Sequence, residues 1–283
     1  MSGEWSGLYA VGRTALWTAA ARAAETERAD RLFTDEFAAG LAGPAGFALM
    51  EHFEQFTGGR NPVLPLRTRF YDDVIATHVR DGPVRQVVLV AAGLDARAFR
   101  LSWPGDTTVF EIDQPELLAD KDAALAQVRA QPACDRRVVG ADLTGDWIGD
   151  LLSAGYTQQH PCLWIAEGLL SYLPGAAVAE LLRTTARHSA SGSRLATDFI
   201  GETFLSSPAM AAQRAAVAEI NAPWLYGCDQ PEQLFTSCGW LPERVLQPGE
   251  PGADFRPLPF PTVPRDVEAP GLPRLFFTTA VKP

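Results

Sequence analysis

Apolar positions recur at helical spacing up to about residue 80, then give way to short β-rich runs separated by helical ones. In "VGRTALWTAAARAAETERA" (11–29), Leu16, Ala19, Ala20, Ala23 and Ala24 fall on one side of a helix. A second, short helix starts after Thr34. Asp35 and Glu36 suit its positive first turn, and Gly43–Pro44 stops it. Residues 45–65 read as a loop-rich connection, and "LRTRFYDDVIATHV" (66–79) as a further helix ended by "DGP" at 81–83. The β-rich runs predict strands over Gln86–Val90, Thr107–Ile112, Arg137–Ala141, Cys162–Ala166 and Arg194–Phe199. Helices fall between them, over 95–100, 115–130, 146–154 and 174–189. Pro174 sits in the last one's first turn, where its missing N–H costs nothing. Strand–helix alternation predicts right-handed βαβ units and a parallel, doubly wound α/β sheet.

The C-terminal third departs from this rhythm. Residues 202–228 are Ala-rich and helical with no strand, so they read as an insertion. A helix over 231–240 leads to a strand near Glu243–Leu246, a Pro-rich loop over 248–273 and a last strand, "RLFFTTAVK" (274–282). With no helix between or after them, the two strands predict a hairpin-like end.

Composition narrows the class. The 283 residues are 47% hydrophobic and 20% charged, an ordinary globular balance. A net charge of −10 argues against a nucleic-acid backbone as partner. The N-terminal stretch carries no signal-peptide pattern, and no apolar run approaches the ~20 residues of a membrane span. Cys134, Cys162, Cys228 and Cys238 show no metal-ligand spacing, which suits a reduced, cytoplasmic protein without a metal.

In an open α/β sheet, ligands bind beyond the carboxyl ends of the strands. Strand one ends in "AAGLD", where Gly93 permits a sharp turn and a close backbone approach. Asp95 reads either as a cap of the next helix or as a contact for the amino end of a cofactor. Strand two ends in "VFEID". Asp113 stands 20 residues after Gly93, the offset of a carboxylate that accepts from a ribose diol, and Glu111 alternates onto the same side. Asp142 and Leu143 after strand three suit the amino edge and the face of an adenine. Glu167 after strand four suits an ammonium group, with Gly168 allowing close approach. Arg67, on the helix before the sheet, suits a carboxylate or else a surface pair with Asp72 or Asp73. Ribose, adenine, carboxylate and ammonium together describe S-adenosylmethionine better than a dinucleotide, whose pyrophosphate needs glycines that this loop lacks.

These segments also carry a family likeness. "TALWTAAARAAETERADRLFTDEFA", "LRTRFYDD", "VVLVAAGLDARAFRL", "FEIDQP", "ADLTGDW" and "IAEGLLSYLP" run in order over residues 14–174. With them the chain resembles the bacterial branch of the leucine carboxyl methyltransferase family, common in actinobacteria and including O-methyltransferases that tailor polyketides. The resemblance implies a class I methyltransferase sheet of seven strands, the last antiparallel. It implies one domain with an N-terminal helical lid (1–80), a cofactor-binding core (84–201), a lid insertion (202–228) and a C-terminal completion of the sheet (229–283). It assigns Arg67 to the methionine carboxylate, Gly93 to the loop beneath the methionine, Asp113 to the ribose, Asp142 and Leu143 to the adenine and Glu167 to the amino end. One position departs: Ala91 stands where many members have glycine, and its methyl is tolerated if the cofactor stays clear of it.

The expected activity is O-methyl transfer to a carboxylate or phenol of a small molecule or peptide. A second reading keeps the cofactor without the transfer, as a cyclase-like scaffold or a binding module. A carboxylate acceptor needs no base at neutral pH, whereas a phenol or alcohol does. Of the four histidines, His160 lies at the wrong end of strand four and His188 ends an outer helix; His52 and His78, with Tyr172, are the weak candidates for proton transfer. Tyr9, Trp17, Tyr71, Tyr172, Phe204, Trp224 and Tyr226 are candidates to line the acceptor site, or equally to form the core of the lid.

Overall fold

Five strands run parallel in a computed structural model that describes residues 10–269 and 271–283. They are β1 (Gln86–Val90), β2 (Thr108–Asp113), β3 (Asp135–Gly140), β4 (Cys162–Ala166) and β5 (Arg194–Ile200). Two more, β6 (Leu241–Leu246) and β7 (Leu275–Val281), complete a seven-stranded sheet of order 3-2-1-4-5-7-6. β7 lies between β5 and β6 and runs antiparallel to both. Strand order reverses at the β1–β4 pair, so the crevice above their carboxyl ends is the place for a ligand.

Helices cover both faces, which is why β1 and β4 are buried at every position and read as unbroken apolar runs. Val88, Phe110 and Trp164 pack with α6 (Trp147–Ser153), α7 (Gly175–Arg187) and α9 (Pro231–Ser237) on one face. Val87, Val109 and Leu163 alternate to the other face and pack with α3 (Val63–Ile75), which continues as a π-helical turn over Ala76–Arg80. A third cluster joins α1 (Ala10–Thr26), α2 (Ala38–Thr57) and α5 (Pro115–Gln127) around Leu16, Ala19, Ala20, Leu41 and Leu117. The small residues of α1 allow this close packing on α2.

The predicted strands lie within a few residues of those found. One prediction is corrected: residues 45–65 are not mainly loop. The chain does break at Gly43 (φ 54°, ψ −176°), but helix resumes at once and runs to Thr57. Pro44 suits a first helical turn. Phe53, only 3% exposed, then anchors the new segment by stacking on Trp17 with ring centroids 4.2 Å apart. The helix expected over 95–100 contracts to α4 (Arg97–Arg100), and the 202–228 insertion holds one α-helix, α8 (Ala211–Glu219), after short 3-10 turns. Among the described residues no helix is long and apolar enough to cross a membrane.

Candidate active site

A cavity of about 300 Å³ opens at the switch in strand order. Gly93 turns the chain there with φ +50°, and its N–H donates to Asp113 Oδ2 at 2.7 Å. The Gln114 N–H holds the other oxygen of Asp113, also at 2.7 Å. Burial raises the Asp113 carboxyl above its ordinary pKa and those two N–H bonds oppose the rise. The carboxylate is thus fixed in direction at the cavity wall. Asp142 is exposed on the same cavity; its Oδ1 accepts from the Thr144 N–H and hydroxyl, which lowers its pKa. Leu143 contributes an apolar wall beside it.

The inner end of this cavity is a cluster of opposite charges. Arg67 Nε donates to Glu167 Oε1 at 3.1 Å, and Arg97 Nη1 donates to Glu167 Oε2 at 2.8 Å. Arg97 is 3% exposed and also binds Asp72, Asp95 and the Thr68 carbonyl. Asp95 accepts the Arg97 backbone N–H as well and faces the cavity; the cap position of α4 is Ala96, so Asp95 is not its cap. Burial pushes Asp95 up, but Arg97 and Lys121 outweigh it and hold the carboxyl at about 2. Burial likewise works against the charge of Arg67, yet Asp198 and Glu167 raise it above the usual guanidinium value. Gly168 (φ +62°) lets the chain pass over this guanidinium: a Cβ there would meet Arg67 Nη1 at 2.9 Å.

A second cavity, of about 780 Å³, lies on the far side of Arg67. The two share Trp17, Leu64, Arg67, Gly168 and Tyr172, which form the neck between them. Phe53, Phe204 and Trp224 supply aromatic wall, and the Pro-rich loop supplies Pro257, Pro259 and Pro261. Burial raises the Tyr172 phenol; the Trp224 side chain and Arg67 draw it back.

Arg67, Gly93, Asp95, Asp113, Asp142, Leu143, Glu167 and Gly168 therefore meet in one cavity, and Trp17, Tyr172, Phe204 and Trp224 border the other or the neck. Five expectations are corrected. Glu111 does share a side with Asp113, but it lies deeper in β2 and is fully buried against Lys121 (2.8 Å) and Arg136 (2.7 Å). Tyr71, one turn after Arg67, points beneath the site and donates to Asp198 at 2.9 Å. Tyr226 packs at Gly175 on the helix-covered face. His52 pairs with Glu219 at 3.0 Å on the exposed side of α2, away from both cavities. His78 follows α3 toward the amino ends of the strands, where burial, Arg194 and Arg244 lower its pKa. Tyr9 lies outside the described residues. Sequence reasoning missed Arg97 and Asp198. Arg97 is the next charged residue after Asp95 in "GLDAR", and Asp198 lies two residues before the end of strand five, as an acidic residue near a strand end like Asp113; those were the available signals.

A seven-stranded sheet with only β7 reversed, and a cavity at the β1–β4 switch, defines a class I methyltransferase fold. Solved structures agree on the fold. One is a provisionally named methyltransferase from Thermobifida fusca, with TM-score 0.60, 19% identity, and 91% of this chain and 96% of that one covered. Another is a DUF574 family protein from Streptomyces avermitilis, with TM-score 0.58, 15% identity, and 92% and 98% covered. The leucine carboxyl methyltransferase family model matches residues 15–186, and the chain belongs to that family. Two relatives are provisionally named S-adenosyl-L-methionine-dependent methyltransferases. A Parafrankia protein is 47% identical over 204 residues, covering 69% of this chain and 65% of its own length. A Mycolicibacterium smegmatis protein is 41% identical over 219 residues, covering 72% of each. The chain thus spans slightly under two thirds of the Parafrankia protein.

Proposed function

We propose that this protein is an S-adenosylmethionine-dependent O-methyltransferase acting on an oxygen of an apolar small molecule or peptide from secondary metabolism. The observation that carries the reading is the neck: Arg67 borders both the cavity at the strand ends and a larger one whose wall mixes aromatic, proline and charged side chains. The residues present fit the cofactor. A zwitterionic amino-acid end needs one cation and one anion side by side, and Arg67 and Glu167 stand 3.1 Å apart at the inner end of the cavity. A ribose diol needs a fixed acceptor, and Asp113 is held by two backbone N–H groups. An adenine needs an apolar wall next to an acceptor, and Leu143 adjoins Asp142.

S-Adenosylmethionine supplies an electrophilic methyl on a cationic sulfur with a neutral leaving group. The work left to the chain is alignment and exclusion of water. Arg67, Glu167 and Asp113 orient the cofactor. Trp17, Leu64 and Tyr172 narrow the passage through which an acceptor oxygen reaches it, and the aromatic wall holds the acceptor's body. The same reading places the enzyme in a reducing cytoplasm, which suits free thiols at Cys134, Cys162, Cys228 and Cys238.

Calorimetric titration with S-adenosylhomocysteine tests this. Arg67→Ala and Asp113→Ala each remove a charged hydrogen-bonding group and are expected to weaken binding about 10–100-fold. Circular dichroism checks that both variants stay folded. Unchanged affinity in both rejects the assignment.

A further inference from the structure

Two carboxylates flank Arg67, and they face different cavities. Glu167 borders the cofactor cavity, whereas Asp198 borders the acceptor cavity. Asp198 lies near the carboxyl end of β5 and is only 8% exposed. Its Oδ1 is held from both sides, by the Tyr71 hydroxyl at 2.9 Å and the Gly168 N–H at 2.7 Å. Its Oδ2 is ion-paired with Arg67 Nη1 at 3.6 Å but receives no hydrogen bond among the described residues. A carboxylate this deeply placed needs partners, and the cavity is where the missing one belongs.

We infer that Asp198 is the general base of the transfer and that the acceptor is a hydroxyl on an apolar body, a phenol or alcohol, rather than a carboxylate. This rests on the transferase reading above. A carboxylate acceptor at the neck would set a second anion beside Asp198, itself 8% exposed, where like charges repel. The other guanidiniums of the acceptor cavity are already engaged. Arg28 binds Asp30, Arg60 binds Glu54, and Arg256 binds Glu25. Arg274 binds Gln247 and the carbonyls of Val263, Pro264 and Val267. A neutral hydroxyl instead gives Oδ2 the hydrogen bond it lacks.

The step balances. The hydroxyl proton passes to Asp198 Oδ2 while a lone pair of the acceptor oxygen forms the new O–CH₃ bond. The S–CH₃ bond breaks and its electron pair stays on sulfur, turning a sulfonium into a neutral thioether. Sulfonium and carboxylate charges vanish together, and Asp198 returns its proton to water when product leaves. Burial raises the Asp198 pKa; Arg67, the Gly168 N–H and the Tyr71 hydroxyl oppose the rise, and Glu167 adds to it. Tyr172 also faces it. A base with a raised pKa is lost as pH falls through that value, so kcat should fall on the acid side above the ordinary carboxylate range.

The test uses the whole chain, S-adenosylmethionine and paired aromatics that differ only in bearing a hydroxyl or a carboxyl group. Methylated product is read by mass spectrometry. The hydroxyl members should react at least about 100-fold faster, the scale of general-base assistance. Asp198→Asn should cost a similar factor in kcat and abolish the acidic limb, with S-adenosylhomocysteine affinity unchanged. Tyr71→Phe removes a bond that holds Asp198 down, so the limb should move to higher pH; a merely structural carboxylate would not move it. Preference for the carboxyl members overturns the inference even if Asp198→Asn fails to fold. An Asn variant that keeps both kcat and its acidic limb overturns it too. A protein that binds S-adenosylhomocysteine but methylates neither series rejects the transferase reading itself, and the inference with it.

Discussion

The two cavities are built by different means. The cavity we assign to the cofactor is assembled mainly from strand ends at the switch, with Gly93 after β1, Asp113 ending β2, Asp142 after β3 and Glu167 after β4. Its inner wall is a lattice of buried ion pairs. The cavity we assign to the acceptor draws on α1, α2, the turn before α3, residues 202–228, one end of β5 and of β7 and the Pro-rich loop, and its wall mixes aromatic, proline, aliphatic and charged side chains. The sheet dictates the first cavity, because parallel strands always deliver their carboxyl ends to one edge. The sheet gives the second only Asp198 and Ile200 of β5 and Leu275 of β7, so most of the segments that form it can vary without disturbing the strand ends of the first. Only the neck answers to both.

This contrast predicts where charge removal hurts most. Arg97→Met strips one guanidinium from Asp72, Asp95 and Glu167 at a site 3% exposed. Breaking a buried pair from one side costs about 3–5 kcal/mol, and the melting temperature should fall by on the order of 10 °C. Arg60→Met, at the rim of the acceptor cavity with its side chain 60% exposed, removes a pair with Glu54 and should cost no more than about 1 kcal/mol. Thermal melts of the two variants decide it. Equal losses would mean that the charge cluster under the cofactor is no more structural than the rim.

A kinetic pair sharpens the same division. Trp224 lines only the acceptor cavity and packs edge-on against Phe204, with ring centroids 5.7 Å apart. Trp224→Ala should raise the acceptor KM about tenfold or more, the scale of an aromatic contact plus its buried area, and leave the cofactor KM alone. Asp142→Ala should do the reverse by a few-fold, because Asp142 is exposed. If either variant moves both constants together, the cavities are not independent.

The same division explains what was legible in the sequence. Strand ends were readable because alternation and turn residues mark them, and Asp113, Asp142 and Glu167 followed from position alone. Glu111 misled because alternation gives the side of a strand but not the depth: two residues further in, Lys121 and Arg136 close over it. Arg97 and Asp198 were missed because each has a partner on α3, Asp72 and Arg67 respectively, far away in the chain, and ion pairs across such distances leave no periodic trace. The helix through residues 44–57 was missed because a Gly–Pro break reads as an end, whereas here packing of Phe53 on Trp17 restarts the helix at once. In the acceptor wall, Phe204 and Trp224 looked no different from Tyr71 and Tyr226. Aromatics suit core and cavity alike, and only tertiary placement separates them.

The smallest expected effect sits in the loop where sheet and cofactor site meet. Ala91 has φ +54°, so a side chain occupies backbone territory in which Gly93, two residues on, sits at φ +50°. A left-handed alanine costs about 1–2 kcal/mol. Glycine would relieve that strain and lose about 0.4–1 kcal/mol to the greater freedom of the unfolded chain. The strain is at least as large as the entropy term, which leaves Ala91→Gly stabilising by up to about 1.6 kcal/mol, a rise of a few degrees at most in melting temperature. The loop stays pinned in either case, since the Ala92 N–H donates to the Ile112 carbonyl at 2.9 Å and the Asp95 N–H to the Ala92 carbonyl at 2.9 Å. S-Adenosylhomocysteine affinity should therefore be unchanged in the glycine variant. A drop in melting temperature would show that the alanine methyl contributes packing worth more than the strain it imposes. A change in affinity would show that the methyl touches the cofactor, which would make Ala91 part of the site rather than part of the turn that carries it.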